Sequence, residues 1–245
     1  MRFTVKPESG DPIILSDTTN SQTIGWYLVD SVVEGWFGTP APRESAHSAF
    51  GHDGDGFPST LTQGSRVVTL YGALECPSTI DAARAKDRLN ALFGQKLEII
   101  GEDADGTKRC WGFLSDDPQP KYLPGQRIVK FSLVITCPYP VKLGNEIEFI
   151  SDGVCHVINN GNAPSYPKIV VSGRVTSLLA YFNGHTFSWS GNASSLSLDL
   201  FDASASSGEI TEDDAFEIPP GEHDIYISTS PQQAKVSVLL ASAWR

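Results

Sequence analysis

The chain has 245 residues, enough for one large or two ordinary domains, each with its own hydrophobic core. A content of 40% hydrophobic and 19% charged residues excludes a disordered chain, and no apolar run is long enough for a membrane-spanning helix. The formal net charge of −11 argues against nucleic acid as a partner, because phosphate affinity is built from clustered Lys and Arg.

The N-terminus places Arg2, Thr4, Lys6 and Glu8 where a secretory signal would be apolar, so the chain is expected to be made and folded in a cytosol. Trp26 to Val33, rich in β-branched and aromatic residues, predicts a strand. Gly35 to Gly64 is dominated by Gly, Pro, Ser and His. A loop of that length predicts a segment that projects from its domain and is ordered mainly by a neighbour. Arg66 to Leu74 reads as a second strand.

Ser78 to Phe93 predicts the one helix of the chain. Ser78 is placed to cap it, and Asp81 adds a favourable charge in its first turn. Ala82, Ala85, Leu89, Leu92 and Phe93 form one apolar stripe, and Gly94 supplies a left-handed stop. Such a helix is expected to cover a sheet's open face or edge. Lys96–Ile100 and Lys108–Leu114 flank Asp103-Ala104-Asp105-Gly106, a polar turn that predicts a hairpin. Between Arg127 and Thr136, the side chains of Val129, Phe131, Leu133 and Ile135 share one face, as in a long half-buried antiparallel strand.

Cys137-Pro138-Tyr139-Pro140 closes the first half, since proline cannot continue a strand interior. We therefore expect domains at 1–143 and 144–245. The second opens on a turn closed by Pro164 and Pro167, followed by a short strand from Lys168 that stops at Gly173. Alternating pairs and triplets follow: Ile169 and Val171; Phe187 and Trp189; Leu196, Leu198 and Leu200; Ile225 and Ile227; Val236, Val238 and Leu240. Strands without a helix predict a β-sandwich. Ala203 to Gly208 reads as a small-residue loop inside a longer interruption at 202–214, and Glu212-Asp213-Asp214 as a solvated acidic run.

Residues that would carry chemistry do not assemble into a motif. Gly51, Gly54 and Gly56 lie in a glycine-rich stretch, but Pro58 follows where a phosphate-binding helix should begin. Asp53 with Asp55, and Asp103 with Asp105, lack the further ligands and closing acid of a calcium loop. His47, His52, His156, His185 and His223 are isolated. Cys76, Cys110, Cys137 and Cys155 form no close pair in sequence, which predicts reduced buried thiols rather than a zinc site. Trp189 and Tyr181 could stack on a sugar, but alternating aromatics of a sandwich are expected in its core. No catalytic, cofactor-binding or metal-binding residue is assigned, and no cofactor is expected.

The whole chain resembles the distal tail (Dit) proteins of long-tailed bacteriophages. In the first half the resemblance rests on Gly54-Asp55-Gly56, on Gly64-Ser65-Arg66-Val67-Val68-Thr69-Leu70-Tyr71-Gly72, and on the helix from Ser78 to Phe93. In the second it rests on Asn160 to Gly173, Leu198-Asp199-Leu200, and Ile218-Pro219-Pro220-Gly221-Glu222-His223-Asp224-Ile225-Tyr226-Ile227. It implies a mainly β protein whose N-terminal β-sandwich or split-barrel domain, with its one helix, is related to tail-tube proteins, and whose C-terminal domain is a galectin-like sandwich.

It further implies a non-enzymatic virion protein at the distal end of the tail, assembled in the host cytoplasm. Its partners would be copies of itself in a ring, usually of six, the tail-tube protein, the tail-associated hub protein and receptor-binding proteins. Residues 144–245 leave little room beyond their strands for a long inserted arm, so a bare adaptor ring is expected. Closed rings use two different surfaces of each subunit. The 35–64 loop and the edge strands of the first domain are the candidate contacts. A carbohydrate-binding module or adhesin, and an esterase or glycosidase of phage origin, are the rival readings.

Overall fold

A computed structural model of the chain describes residues 1–16, 25–29, 33–48, 51, 53–122, 125–232 and 234–245. It is mostly β and divides into two compact units, Met1–Lys142 with Arg245, and Leu143–Trp244.

The first unit contains β1 (Arg2–Pro7), β2 (Ile13–Ser16), β3 (Gly25–Leu28), β4 (His47–Ser48), β5 (Asp55–Gly56), β6 (Arg66–Glu75), helix α1 (Thr79–Asn90), β7 (Leu97–Asp103), β8 (Gly106–Leu114), β9 (Lys121–Tyr122) and β10 (Ile128–Cys137). Pairing runs β8-β7-β1-β2-β3-β6-β10, and β10 returns to β8 through Ile135↔Leu114 and Thr136↔Phe113. The result is a closed barrel of seven strands, with β9 lying outside it on β10. Closure is the usual way a sheet disposes of its edges.

Alternation along the long strands turns one face of each into the barrel interior. Val129, Leu133 and Ile135 of β10 are fully buried and Phe131 nearly so. They meet Phe3, Val5, Ile13, Leu15, Val68, Leu70, Leu97 and Ile99 from the other strands. Burying each such side chain contributes about 1.5–3 kcal/mol.

At the closing seam, β8 and β10 approach so closely that a Cβ on Gly112 would stand 2.5 Å from the Thr136 carbonyl oxygen. Only glycine fits there. The β7–β8 hairpin turns over Ala104-Asp105, with Asp103↔Gly106 as its last pair, so both strands run further than sequence periodicity predicts.

Helix α1 begins as expected. The Ser78 hydroxyl accepts from the Asp81 backbone N–H at 3.2 Å, the interaction that makes serine a preferred N-cap. Ala82, Ala85 and Leu89 are buried in the barrel core, and α1 packs on β6, β9 and β10. The helix ends at Asn90, before Gly94. Leu92 still reaches the core, but Phe93 is 77% exposed. Once the chain leaves the helical path after Ala91, the 3.6-residue period no longer carries residue 93 to the buried face. Of the strand expected over Trp26–Val33, β3 covers only the part to Leu28; Val29 and Val33 lie outside any strand, and residues 30–32 lie outside the described residues.

The second unit contains β11 (Lys142–Ser151), β12 (Val154–Asn159), β13 (Lys168–Phe182), β14 (His185–Asp199), β15 (Ser204–Ala205), β16 (Glu209–Asp213), β17 (Gly221–Ser230) and β18 (Lys235–Trp244). The long β13–β14 hairpin belongs to two sheets. Its outer half, Lys168–Ser172 with Ser195–Asp199, is flanked by β18 and β15. Its inner half, Ser177–Phe182 with His185–Ser190, is flanked by β17 and β16. Strand β11 extends the first sheet beyond β18, and β12 extends the second beyond β17.

Sequence reading expects a short strand ending at Gly173, and the structure corrects this. The strand continues for 15 residues through register shifts between Ser172 and Ser177. Those bulges change the buried phase from Ile169, Val171 and Val175 to Leu178, Ala180 and Phe182. On β14 it changes from Phe187, Trp189 and Ala193 to Leu196 and Leu198. A bulge bends its strand and re-aims the side chains. Here it turns both apolar faces toward one core, with Leu200, Phe216, Ile218, Ile225, Ile227, Val236, Val238 and Leu240.

The 202–214 interruption is likewise not all loop. It holds β15 and β16, and its small residues cover Trp189. The Trp189 Nε1–H donates to the Ser207 carbonyl at 2.6 Å, and a Cβ on Gly208 would stand 2.5 Å from the indole ring.

Candidate functional site

The 33–64 segment begins inside the first unit. Trp36 is buried and meets Phe3 edge-on at 5.2 Å between ring centroids. Arg66, itself buried at the start of β6, holds the chain around it. Its Nη1 donates to the carbonyls of Gly35, Trp36 (3.2 Å) and Gly38 (2.8 Å), and its Nε donates to Pro140 at 2.7 Å. Arginine suits this role because its planar fork presents several donors at fixed angles. Lys142 adds a bond from Nζ to the Trp36 carbonyl at 2.6 Å, and its ammonium lies 5.5 Å from the Trp36 ring centroid.

Three cations therefore meet with little water. Arg66, Lys142 and Lys108 are all buried, and Lys108 pairs with Asp105. Burial, reinforced by the charges of Arg66 and Lys108, lowers Lys142 from 10.5 to about 8. Cys110 and Cys137 lie in the same place, with their sulfurs 3.3 Å apart. Hydrogen bonding and burial push the Cys110 thiol up, while the bond from Cys110 and the Arg66 charge hold Cys137 down.

Beyond Trp36 the segment forms a hairpin-like arm. Its neck is tied by Arg43 N to Thr62 O and by Gly64 N to Ala41 O, both 2.9 Å, and the Glu44 carboxylate accepts from the Thr62 amide and hydroxyl at 2.8 and 2.6 Å. Those bonds hold the Glu44 carboxyl below its ordinary range. Nearer the tip, β4 pairs with β5. Backbone bonds and Arg66 hold the base and neck of the segment, and residues 49, 50 and 52 lie outside the described residues.

Among the exposed polar residues of the segment stand three large apolar side chains. Phe57 is 93% exposed, and Phe37 and Leu61 are also well exposed. Scattered apolar surface residues need no explanation, but three on one short excursion mark a contact surface. Barrel closure narrows the other expected contact, because β8 and β10 meet along one stretch and β10 also carries β9.

The remaining sequence candidates are dispersed. His47 opens β4, and His52 lies outside the described residues. His156 pairs with Asp224 across β12 and β17, His185 Nδ1 lies 3.0 Å from Asp214, and His223 Nε2 is 3.3 Å from the Pro220 carbonyl. Asp53 and Asp55 are exposed, and the Asp103 carboxylate accepts from the Asp105 amide at 2.8 Å. Among the described residues, no group of three or more His, Cys, Asp and Glu side chains is placed to hold a metal ion. All four cysteines are free and buried.

Trp189 is buried, so it offers no stacking surface. Tyr181 departs from the core expectation: it is 41% exposed and pairs with Tyr226, 52% exposed, at 6.3 Å between ring centroids. It falls on the outer face because the β13 bulges reverse the alternation before it.

No protein-family model and no curated protein sequence matches the chain. Among solved structures, the Dit protein of phage SPP1 matches with a TM-score of 0.67 at 14% identity, covering 99% of both chains. The chain has the fold of the SPP1 Dit protein. A chain of the phage P2 baseplate in its activated conformation with calcium matches with a TM-score of 0.57 at 8% identity, covering 99% of this chain and 98% of that one. The same baseplate with strontium gives 0.52 at 7% identity, covering 98% of each chain. The Dit protein of SPP1 is described as a paradigm of the hub adsorption apparatus in phages that infect Gram-positive bacteria.

Proposed function

We propose that this chain is a structural, non-enzymatic subunit of a bacteriophage tail tip. Six copies form a ring that joins the tail tube to the tail-associated hub and host-recognition proteins. The observation that carries this reading is the extent of the Dit match, which takes in 99% of both chains and leaves no domain of either unaccounted for. Residues 1–143 form the ring and are related to tube proteins, while 144–245 are a galectin-like sandwich. The protein is made and assembled in the host cytoplasm and resides in the virion. With β13–β18 accounting for most of the second unit, it acts as an adaptor without a receptor-binding arm.

In the ring, the 33–64 arm meets the neighbouring subunit through its exposed apolar side chains Phe37, Phe57 and Leu61. The arm's neck and its Arg66 anchor support this, because an interface element must hold its shape before association. Sedimentation across a concentration series, with negative-stain imaging of the heaviest species, tests the ring. A closed six-fold particle is expected; a monomer at every concentration would contradict it.

A second reading, a carbohydrate-binding module or adhesin, draws on the exposed Tyr181–Tyr226 pair. A fold does not itself license sugar binding. A glycan array of the intact protein without hits removes this reading.

A further inference from the structure

Cys110 and Cys137 are separated by 27 positions in sequence, yet their sulfurs lie 3.3 Å apart inside the barrel. A disulfide needs about 2.0 Å between sulfurs, so these two stand in contact and must close further to bond. Their position is specific. Cys137 ends β10 and Cys110 is on β8, the two strands that close the barrel, and that closure is paired at only Ile135↔Leu114 and Thr136↔Phe113. Adjacent to this seam, Ser115 N donates to the Val134 carbonyl at 2.9 Å. A bond between the two sulfurs would fasten the barrel at a seam held by two register pairs.

The surroundings supply a charge partner, and because Cys110 and Cys137 are 1% and 0% exposed, the oxidant reaches them only when the seam opens. Arg66 is the register partner of Cys137 on β6, and its Nη2 is buried with no hydrogen-bond acceptor among the described residues. Hydrogen bonding between the pair and the Arg66 charge lower Cys137, whereas hydrogen bonding and burial raise Cys110. Those directions favour Cys137 as the nucleophile and Cys110 as the resolving thiol. Cys76 and Cys155 are buried too, but Cys155 donates to the Phe149 carbonyl at 3.6 Å and burial raises both thiols.

We propose that Cys110 and Cys137 are a redox modification site, forming a disulfide that locks the barrel seam when the protein meets a small peroxide-class oxidant. The Cys137 thiolate attacks one peroxide oxygen and expels hydroxide, giving a sulfenic acid. The Cys110 sulfur then attacks the Cys137 sulfur and forms the S–S bond, and the sulfenic oxygen leaves as water with the Cys110 proton. Two thiols lose two electrons in all, and one peroxide is reduced to two waters. In a reducing cytosol the pair stays open; outside the cell it closes. This inference is independent of the tail-tip reading.

Folded protein treated with millimolar hydrogen peroxide, then denatured in guanidinium with N-ethylmaleimide, tests it by intact mass and peptide mapping. We expect two labelled thiols instead of four, a loss of two hydrogen masses, and one cross-linked peptide pair containing Cys110 and Cys137. Cys137→Ser should retain three labelled thiols, whereas Cys110→Ser, lacking the resolving sulfur, should gain oxygen on Cys137 and retain two. The oxidised wild type should melt higher by on the order of 5 °C. Four labelled thiols after treatment, or a bond using Cys76 or Cys155, would overturn the proposal, as would oxidation that stops at a sulfinic acid. An unchanged melting point in the cross-linked protein would overturn its seam-locking part. The wild-type peptide map decides even if a serine variant fails to fold.

Discussion

Arg66 and Lys142 are long cations placed where apolar side chains would be expected, and each is held by backbone carbonyls rather than by an acid. Burying a charge is tolerated only when hydrogen bonds replace its water. Replacing Arg66 removes donors to Gly35, Trp36, Gly38 and Pro140 together. We expect Arg66→Met to destabilise the first unit by about 3 kcal/mol in chemical denaturation and to open 35–38 to proteases.

Lys142 carries a sign that can be checked. Its folded value of about 8 lies below its ordinary 10.5. Below about pH 8 the side chain is charged in both states, and its burial counts fully against the fold. Between pH 8 and 10.5 the folded protein releases the proton that the unfolded chain keeps, so this group's contribution to stability rises with pH. Relative to Lys142→Met, the wild type should gain up to about 3 kcal/mol over that window in parallel denaturant titrations. A difference that is flat or falls with pH would contradict the buried, water-poor setting.

Among elements, the closing seam of the barrel is the most exacting. β8 can reach β10 only because residue 112 has no side chain. Gly112→Ala should cost about 2–4 kcal/mol, read from the urea midpoint, whereas Gly→Ala in an open strand position stabilises. Much of this architecture is legible in the sequence where a strand is half-buried along its whole length. β10 is the clear case, with Val129, Phe131, Leu133 and Ile135 on one side.

Where the phase changes, the pattern hides the element. β13 reads as ending at Gly173 because its bulges move the buried set from odd to even positions, and the same shift leaves Tyr181 outside. β15 and β16 carry no apolar alternation, being short strands on polar edges of the hairpin. The helix is readable at its start, where Ser78 caps it, and less so at its end, where Phe93 leaves the stripe. The Arg66 anchor and the sulfur pair were not readable at all. Their partners are backbone carbonyls 28 to 74 residues away, and a sulfur 27 away.

For the whole molecule, the resemblance of scattered turn motifs, in order along the chain, to distal tail proteins agrees with the fold, since the SPP1 Dit protein matches from end to end. Assembly is the next level, and Phe57 is the residue to test. It is 93% exposed, so Phe57→Asp should leave the monomer's melting point unchanged while reducing ring formation at least tenfold in sedimentation. Unchanged association in that variant would move the subunit contact away from the arm.

The most direct measurement is electron microscopy of intact phage particles labelled with gold-conjugated antibodies against this chain. A tail-tip ring subunit places gold at the distal end of the tail and nowhere along the tube. Label along the tube, or particles that carry none, would contradict it.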